Sequence, residues 1–316
     1  MTLSVRIAQI KRETAEIASF ALVAHEGASL PPYTSGAHID VHLAPGLTRQ
    51  YSLCEAPGAS ARYLIAVKRE ANSRGGSRAM HELKEGQALE ISAPRNNFPL
   101  ASASHHVLLA GGIGVTPLLS MAQHLQRLGE SFELQYFTRS VEHTAFHDRL
   151  SAPELRAHVA FHYALDPERL RAYLRQLLWH RRDGAHLYLC GPRPFMDLVE
   201  ATAAPTWPPE AVHLEYFSAD PSALSGTREA FDIVLASSGA RYTVPADQTI
   251  IQVLSEHGTE VPTSCEQGVC GTCLTGVLEG EPDHRDVFLT DEEKRACDRM
   301  LLCVSRARSP RLTLDL

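Results

Sequence analysis

The densest chemistry in the sequence lies near its C-terminus, where Cys265-Glu-Gln-Gly-Val-Cys270-Gly-Thr-Cys273 is followed well downstream by Cys303. Five of the seven cysteines fall in this last segment, and only Cys54 and Cys190 stand apart from it. Clustered thiols in a chain with no sign of export read as metal ligands before disulfides. The C-x4-C-x2-C…C spacing predicts a plant-type [2Fe–2S] centre. Three thiolates on one tight loop must converge on two irons while backbone N–H groups point at sulfur. Gly268 and Gly271 permit such turns, and the small Ser264 and Thr272 leave room beside the inorganic sulfides. A zinc site would show paired C-x2-C knuckles, and a Rieske centre would show Cys-x-His ligands; neither pattern occurs. Cys303 is the expected fourth ligand. Its one rival, Cys297, sits at the end of an exposed helical stretch (DEEKRACDRM) and reads as a spare thiol.

A second chemistry is carried by Gly111-Gly112-Ile113-Gly114-Val115-Thr116-Pro117, between a buried apolar run and an amphipathic helix. Gly112 and Gly114 let the backbone approach a pyrophosphate, Thr116 opens the helix, and free N–H groups at that helix start favour an anion. Cys190-Gly191-Pro192 ends another apolar run, where ligands of parallel sheets bind, so a small thiol there can approach a nicotinamide. Arg139 and Ser140 close a third run, at the expected place of an adenosine ribose. No acidic residue stands there to grip a 2′-hydroxyl, and Arg139 could meet a 2′-phosphate, so these residues leave NADH and NADPH both open.

Two further stretches suit a flavin. Arg49-Gln50-Tyr51-Ser52 places a cation, an aromatic ring and a hydroxyl on one strand, fit to grip a phosphate, cover a flat ring and bond its edge. Arg74-Gly75-Gly76-Ser77 opens a short helix, a second anion-binding start. These residues do not separate FMN from FAD.

Elements that position these residues follow from periodicity. Up to about residue 100 short strand-like runs recur (LSVRIAQIKRE, IASFALVA, HIDVHLA, RQYSLC, RYLIAVKRE, ALEISAP), which predicts a small antiparallel barrel. From 101 to 222 strands alternate with amphipathic helices, which predicts a doubly wound parallel sheet. Residues 229–316 combine a hairpin around Ser-Ser-Gly, a helix capped at Asp247 and ended by Gly258, and a second helix with a Thr290/Glu293 capping box. That mixture predicts an α+β, β-grasp ferredoxin domain. Linkers are expected at 94–105 and 218–230.

Composition narrows the function further. With 44% apolar and 21% charged residues in 316, the chain is an ordinary multidomain globular protein. No apolar run reaches membrane-spanning length, and MTLSVRIAQIKRE lacks the apolar centre of a signal peptide, so a cytoplasmic protein is expected. The net charge of −7 is concentrated: residues 1–228 hold 22 basic and 22 acidic side chains, whereas 229–316 hold 8 and 15. An acidic module on a neutral body argues against nucleic acid and suits docking on a basic protein patch. Nothing in the pattern signals a coiled coil or repeat, and a monomer is expected.

Taken in order, Arg-x-Tyr-Ser, Gly-Gly-Ser, GGIGVTP, Cys-Gly-Pro and a C-terminal plant-type ferredoxin make the chain resemble, over essentially its whole length, the phthalate dioxygenase reductase family, which includes vanillate demethylase reductases. The resemblance implies FMN in a barrel at 1–100, NADH in an α/β domain at 101–222, and [2Fe–2S] in a ferredoxin domain at 229–316. It implies that Arg49 meets the FMN phosphate, with Gln50 beside it, that Tyr51 packs on the flavin, and that Ser52 bonds near its N5. Val67 and Lys68 would line the ring, and Gly75, Gly76 and Ser77 would hold the phosphate. Gly112, Gly114 and Thr116 would bind the dinucleotide, with Arg139 and Ser140 near its adenosine and Cys190 and Gly191 near the nicotinamide. Phe217 would sit at the junction of the two rings. Cys265, Cys270, Cys273 and Cys303 would hold the cluster. The implied function is passage of electrons from NADH through flavin and cluster to a separate Rieske-type terminal oxygenase. A stand-alone diaphorase and a cluster-based redox sensor are the competing expectations.

Overall fold

Alternation of side chains builds the first sheet of this computed structural model, which describes residues 2–25, 29–44, 47–58, 61–71, 73, 75–218 and 229–316. In β1 (Thr2–Arg12) Val5 and Ile7 are buried while Ser4 and Arg6 face out, the period-two pattern of a half-buried strand. With β2 (Ile17–Ala24), β3 (His38–Ala44), β4 (Leu47–Ser52), β5 (Arg62–Lys68) and β6 (Ala88–Ser92), it forms a six-stranded sheet in the order β4-β3-β6-β1-β2-β5, every pair antiparallel. A bridge from Leu53 to Ile65 brings the two edges, β4 and β5, together and nearly closes the barrel. The helix α1 (Gly76–Glu82) packs Met80 into the barrel core.

A parallel sheet follows. Its strands β7 (His105–Gly111), β8 (Phe132–Thr138), β9 (Val159–Tyr163), β10 (Ala185–Cys190) and β11 (Val212–Glu215) are ordered β11-β10-β7-β8-β9. Between them lie α2 (Val115–Leu128), the short α3 (His147–Leu150), α4 (Pro167–Trp179) and α5 (Arg193–Ala203). The chain steps outward from β7 to β9, then jumps back to β10 and β11. Right-handed crossovers therefore place helices on both faces, and a topological switch point opens between β7 and β10. One core joins this sheet to the barrel: Ile17, Ala21, Leu64 and Ala66 pack in the same cluster as Leu108, Leu118, Leu119 and Tyr136. Hydrogen bonds stitch the same seam, with Ser120 Oγ donating to Glu55 O (2.7 Å) and Gln123 Nε2 to Cys54 O (2.9 Å).

Backbone contacts divide the chain into two units, Met1–Glu215 and Tyr216–Leu316. In the second, β12 (Phe231–Leu235) and β13 (Arg241–Val244) form the expected hairpin, and α6 (Ile250–Glu256) crosses to β14 (Leu274–Glu279). After β15 (Pro282–Asp283) and α7 (Asp291–Ala296), the chain closes with β16 (Arg299–Leu301), β17 (Arg306–Ala307) and β18 (Arg311–Leu314). The sheet order is β13-β12-β18-β14-β16, with β12 and β18 parallel, which is the β-grasp arrangement. The capping box at Thr290 and Glu293 is present. The cap of α6 is Thr249 rather than Asp247, because Gln252 three residues on returns the hydrogen bond and completes a second capping box. The segment 219–228, most of the expected linker at 218–230, lies outside the described residues.

Candidate functional site

Two glycine-bearing turns meet at the switch point, and their glycines are required by contact. A Cβ on Gly114 would lie 2.1 Å from the carbonyl oxygen of Cys190 and 2.7 Å from Gly191 N. Gly111 and Gly191 also face each other, a Cβ on either lying 3.0–3.3 Å from the Cα of the other, and each lies against Phe195. Gly112 differs: its φ is +54° and nothing lies within 4 Å of its would-be Cβ, so its space is open for a ligand. Thr116 is buried and donates its hydroxyl to Ile113 O (3.1 Å), which closes the turn at the start of α2. Gly112, Gly114, Thr116, Cys190 and Gly191 thus form one cradle at the C-terminal ends of β7 and β10, as the sequence predicts. Arg139 and Ser140 stand at the end of the adjacent β8. Arg139 pairs with Glu16 across the seam to the barrel (3.0 Å), and Ser140 Oγ bonds Glu142 (2.5 Å) and His143 (2.9 Å).

The same cradle contains a residue the sequence did not single out. Glu215 ends β11 in register with Cys190, and the Ser52 hydroxyl lies near its carboxylate. Residue 215 is partly exposed as a whole, yet its Oε2 is sealed from solvent and has no hydrogen-bond partner. Burial, only partly offset by Ser52, pushes its pKa up to about 8. Cys190 is buried, and its thiol is pushed well above the ordinary range, first by burial and then by the Glu215 charge. It is therefore a neutral thiol and no nucleophile at pH 7. A hydroxyl, a protonated carboxyl and a small thiol converge where a hydride acceptor and donor would meet. The only sequence signal for Glu215 was its place at the end of the short alternating run Val-His-Leu-Glu.

On the barrel, Arg49, Gln50, Tyr51 and Ser52 occupy β4 as expected, but their tasks differ. Arg49 lies across the start of α1: a Cβ on Gly76 would sit 2.4 Å from Arg49 Cγ and 2.8 Å from its Nε, so the arginine stem rests directly on the glycine. Gly75 adopts φ +93°, a conformation that side chains disfavour, and shapes the same turn. Tyr51 is half-buried against the barrel core, and burial pushes its phenol up, so it stays neutral. Gln50 is held by the scaffold, donating to Asp40 Oδ1 (3.0 Å), which Arg95 also grips with two bonds. Ser77 Oγ donates to Ser73 Oγ (3.0 Å) and accepts from Glu70 N (3.1 Å), and so fixes the loop before α1. Val67 is buried with its carbonyl taken by His81 (2.9 Å), and Lys68 pairs with Glu70 (3.0 Å). Arg74 lies outside the described residues. Arg49, Gly75 and Gly76 form a cationic turn, and Ser52 at the end of β4 lies near Glu215 of the glycine cradle. Phe217 belongs to the second unit and is 39% exposed.

In the second unit the four predicted thiols are buried and arranged as two pairs: Cys265 with Cys270, and Cys273 with Cys303. Gln267 N points at Cys265 Sγ (3.3 Å) and Thr272 N at Cys270 Sγ (3.4 Å), the N–H donors that thiolate sulfur in a cluster needs. Among the described residues no three His, Cys, Asp or Glu side chains close around a single ion. Two adjacent thiol pairs are the layout two irons require, one pair for each. Gly268 and Gly271 take φ +69° and +74°. Side chains on them would strike Val304 and Phe288, which cover the loop. Cys297 caps α7 in the left-handed conformation and donates to Lys294 O (3.4 Å), apart from the four. The donor set fits an iron–sulfur cluster, and the cationic turn with the open glycine cradle fits a flavin phosphate and a dinucleotide.

Comparison with known proteins agrees with this geometry. Residues 233–308 match the 2Fe-2S iron-sulfur cluster binding domain family, and residues 96–206 match the N-terminal domain of dimethylamine monooxygenase subunit DmmA-like proteins. The chain is 46% identical to the vanillate O-demethylase oxidoreductase of Pseudomonas sp. strain HR199, covering 99% of this chain and 100% of that one. It is 42% identical to the phthalate dioxygenase reductase of Burkholderia cepacia, covering 99% and 97%. A solved phthalate dioxygenase reductase, described as a modular structure for electron transfer from pyridine nucleotides to [2Fe-2S], superposes with a TM-score of 0.79 at 41% identity over 100% of this chain and 98% of that one.

Proposed function

Since the chain belongs to the phthalate dioxygenase reductase family, which includes the vanillate O-demethylase oxidoreductases, we propose that it carries electrons from NADH through FMN and a [2Fe–2S] cluster to a separate Rieske-type oxygenase or O-demethylase acting on an aromatic acid. The observation that carries the proposal is the coexistence in one chain of a glycine cradle at the strand switch point, with open space at Gly112, and four buried thiols brought together by one loop and Cys303. NADH releases electrons as a pair and an iron–sulfur cluster accepts them one at a time. A bound flavin supplies the conversion between the two.

The protein's own residues do the positioning. Arg49, Gly75 and Gly76 bind the flavin phosphate, and Tyr51 covers the ring, with Val67 and Lys68 on the same barrel wall. Gly112, Gly114 and Thr116 admit the pyrophosphate, while Arg139 and Ser140 face the adenosine side. Cys190 and Gly191 present a small, neutral wall that lets the nicotinamide lie flat. At neutral pH Glu215 holds a proton on its carboxyl. In that form it donates to Ser52 Oγ, which frees the Ser52 hydroxyl hydrogen to turn toward the flavin edge. When Glu215 is ionised the hydroxyl turns back to it. The pair can thus take up or release one proton without opening the site to water. Cys265, Cys270, Cys273 and Cys303 hold the cluster.

This function assigns 1–100 to FMN, 101–222 to NADH and 229–316 to the cluster. The acidic last segment docks on a basic face of the oxygenase. Among the described residues no helix is long and apolar enough to cross a membrane; we take the protein as a monomeric cytoplasmic carrier. NADH-driven turnover of one purified aromatic-acid oxygenase, restored only when this protein is added, tests the proposal. Equal activity toward any small acceptor with no such restoration would favour a stand-alone diaphorase.

A further inference from the structure

Asp286 lies between β15 and α7 and is 4% exposed. Its Oδ2 accepts from Phe288 N (3.1 Å) and Leu289 N (2.8 Å). Its Oδ1 accepts from Ser305 Oγ (3.5 Å) and lies 3.7 Å from His284 Nδ1. Lys294 Nζ donates to its backbone carbonyl (2.8 Å). Burial pushes the carboxyl up, but the nearby His284 ring, the bond from Leu289 N and the Lys294 charge outweigh it and hold the group below the usual carboxylate range.

The backbone at Asp286 packs against the loop that carries the thiols. Val287 N donates to Gly268 O (3.0 Å), and a Cβ on Gly268 would lie 3.1 Å from Asp286 Cα. Gly268 stands between Cys265 and Cys270, and Ser305 stands two residues beyond Cys303. The turn that Asp286 closes also sets Phe288, whose ring covers Gly271. Closing that turn needs only one oxygen, because both backbone N–H groups meet Oδ2. An asparagine would serve equally, and burying an amide costs far less than burying a charge. The retained charge therefore has a consequence of its own: it would oppose the arrival of an electron on a cluster held by the neighbouring thiols.

We propose that Asp286 is a positioning residue for the thiol loop and that its negative charge, tempered by Lys294, holds the reduction potential of the cluster low. The proposal rests on the cluster being held at the four paired cysteines. Asp286→Asn keeps the Oδ2 acceptor and offers an amide to Ser305, so it removes charge and little else. In the full-length protein, with flavin and cluster loaded, a spectroelectrochemical titration of the cluster should show a higher potential in this variant. The expected size is about a tenfold rise in the ratio of reduced to oxidised cluster at fixed ambient potential, about 59 mV for one electron. Lys294→Gln removes the opposing charge and should shift the potential the other way.

An Asp286→Asn cluster with wild-type potential, or a Lys294→Gln potential that is unchanged or raised, would overturn the proposal. If the asparagine variant assembles no cluster, the sign of the Lys294→Gln shift decides alone. Wild-type protein that never shows cluster absorbance would instead refute the cluster assignment itself.

Discussion

Glu215→Gln isolates the charge in the hydride-transfer cradle. Burial raises the Glu215 carboxyl to a pKa of about 8 in the folded chain, against 4.5 for a free glutamate side chain. Because the folded value is raised, the folded state holds the proton more tightly. The associated stability is fully present below pH 4.5 and is lost as pH rises through 8. Between pH 5 and pH 9 the loss amounts to roughly three pKa units, about 4 kcal/mol at 1.36 kcal/mol per unit. Partial opening of residue 215 to solvent makes that an upper figure, and a loss of about 2–4 kcal/mol is expected. Glutamine does not titrate, so the variant should be nearly as stable as wild type at pH 5 and more stable by that margin at pH 9. Urea unfolding followed by tryptophan fluorescence reads this cleanly, since Trp179 and Trp207 are the only tryptophans and both lie in the first unit. A stability difference that stays constant from pH 5 to pH 9 would show that the carboxyl is not buried in the cradle. The same variant should slow NADH-to-flavin transfer, because the proton held beside Ser52 is gone.

Gly114→Ala forces a Cβ to within 2.1 Å of the Cys190 carbonyl. Since that obstacle is backbone, the variant should lose about 1–3 kcal/mol of stability in the first unit by urea unfolding and show a raised KM for NADH. Arg49→Gln removes the cation across α1 and should weaken FMN retention roughly 10- to 100-fold by equilibrium dialysis, as expected when a charged hydrogen bond is lost. Cys303→Ser should remove the cluster's visible absorbance while NADH still reduces the flavin; Cys297→Ser should keep the cluster. An intact cluster in the first variant would move the fourth ligand to Cys297. Electron delivery to the oxygenase should fall as salt is raised from about 50 to 500 mM, since docking by the acidic segment is screened. A rate indifferent to salt would discount that surface.

The sequence revealed what local chemistry dictates. The cysteine spacing, the glycine turn and the strand runs of the barrel carry their geometry in residue type alone, and the structure places them accordingly. Glu215 stayed hidden because nothing local marks it: an acidic residue ending a four-residue edge strand matters only once that strand pairs with β10 and brings it beside Ser52, far away in sequence. Asp286 escaped for the same reason, since its partners Gly268, Lys294 and Ser305 come from separate segments. The cap of α6 went to Thr249 because its reciprocating partner Gln252 outweighs Asp247, which lacks one. Gln50 and Ser77 sit where expected, yet the scaffold uses their polar atoms.

The most direct test is anaerobic stopped-flow mixing of the fully loaded protein with NADH, watching flavin and cluster absorbance together and checking the product by electron paramagnetic resonance. The flavin band should bleach first, and cluster bleaching should follow with a one-electron-reduced [2Fe–2S] signal, which Cys303→Ser abolishes. A cluster that stays oxidised while the flavin is fully reduced would contradict the account.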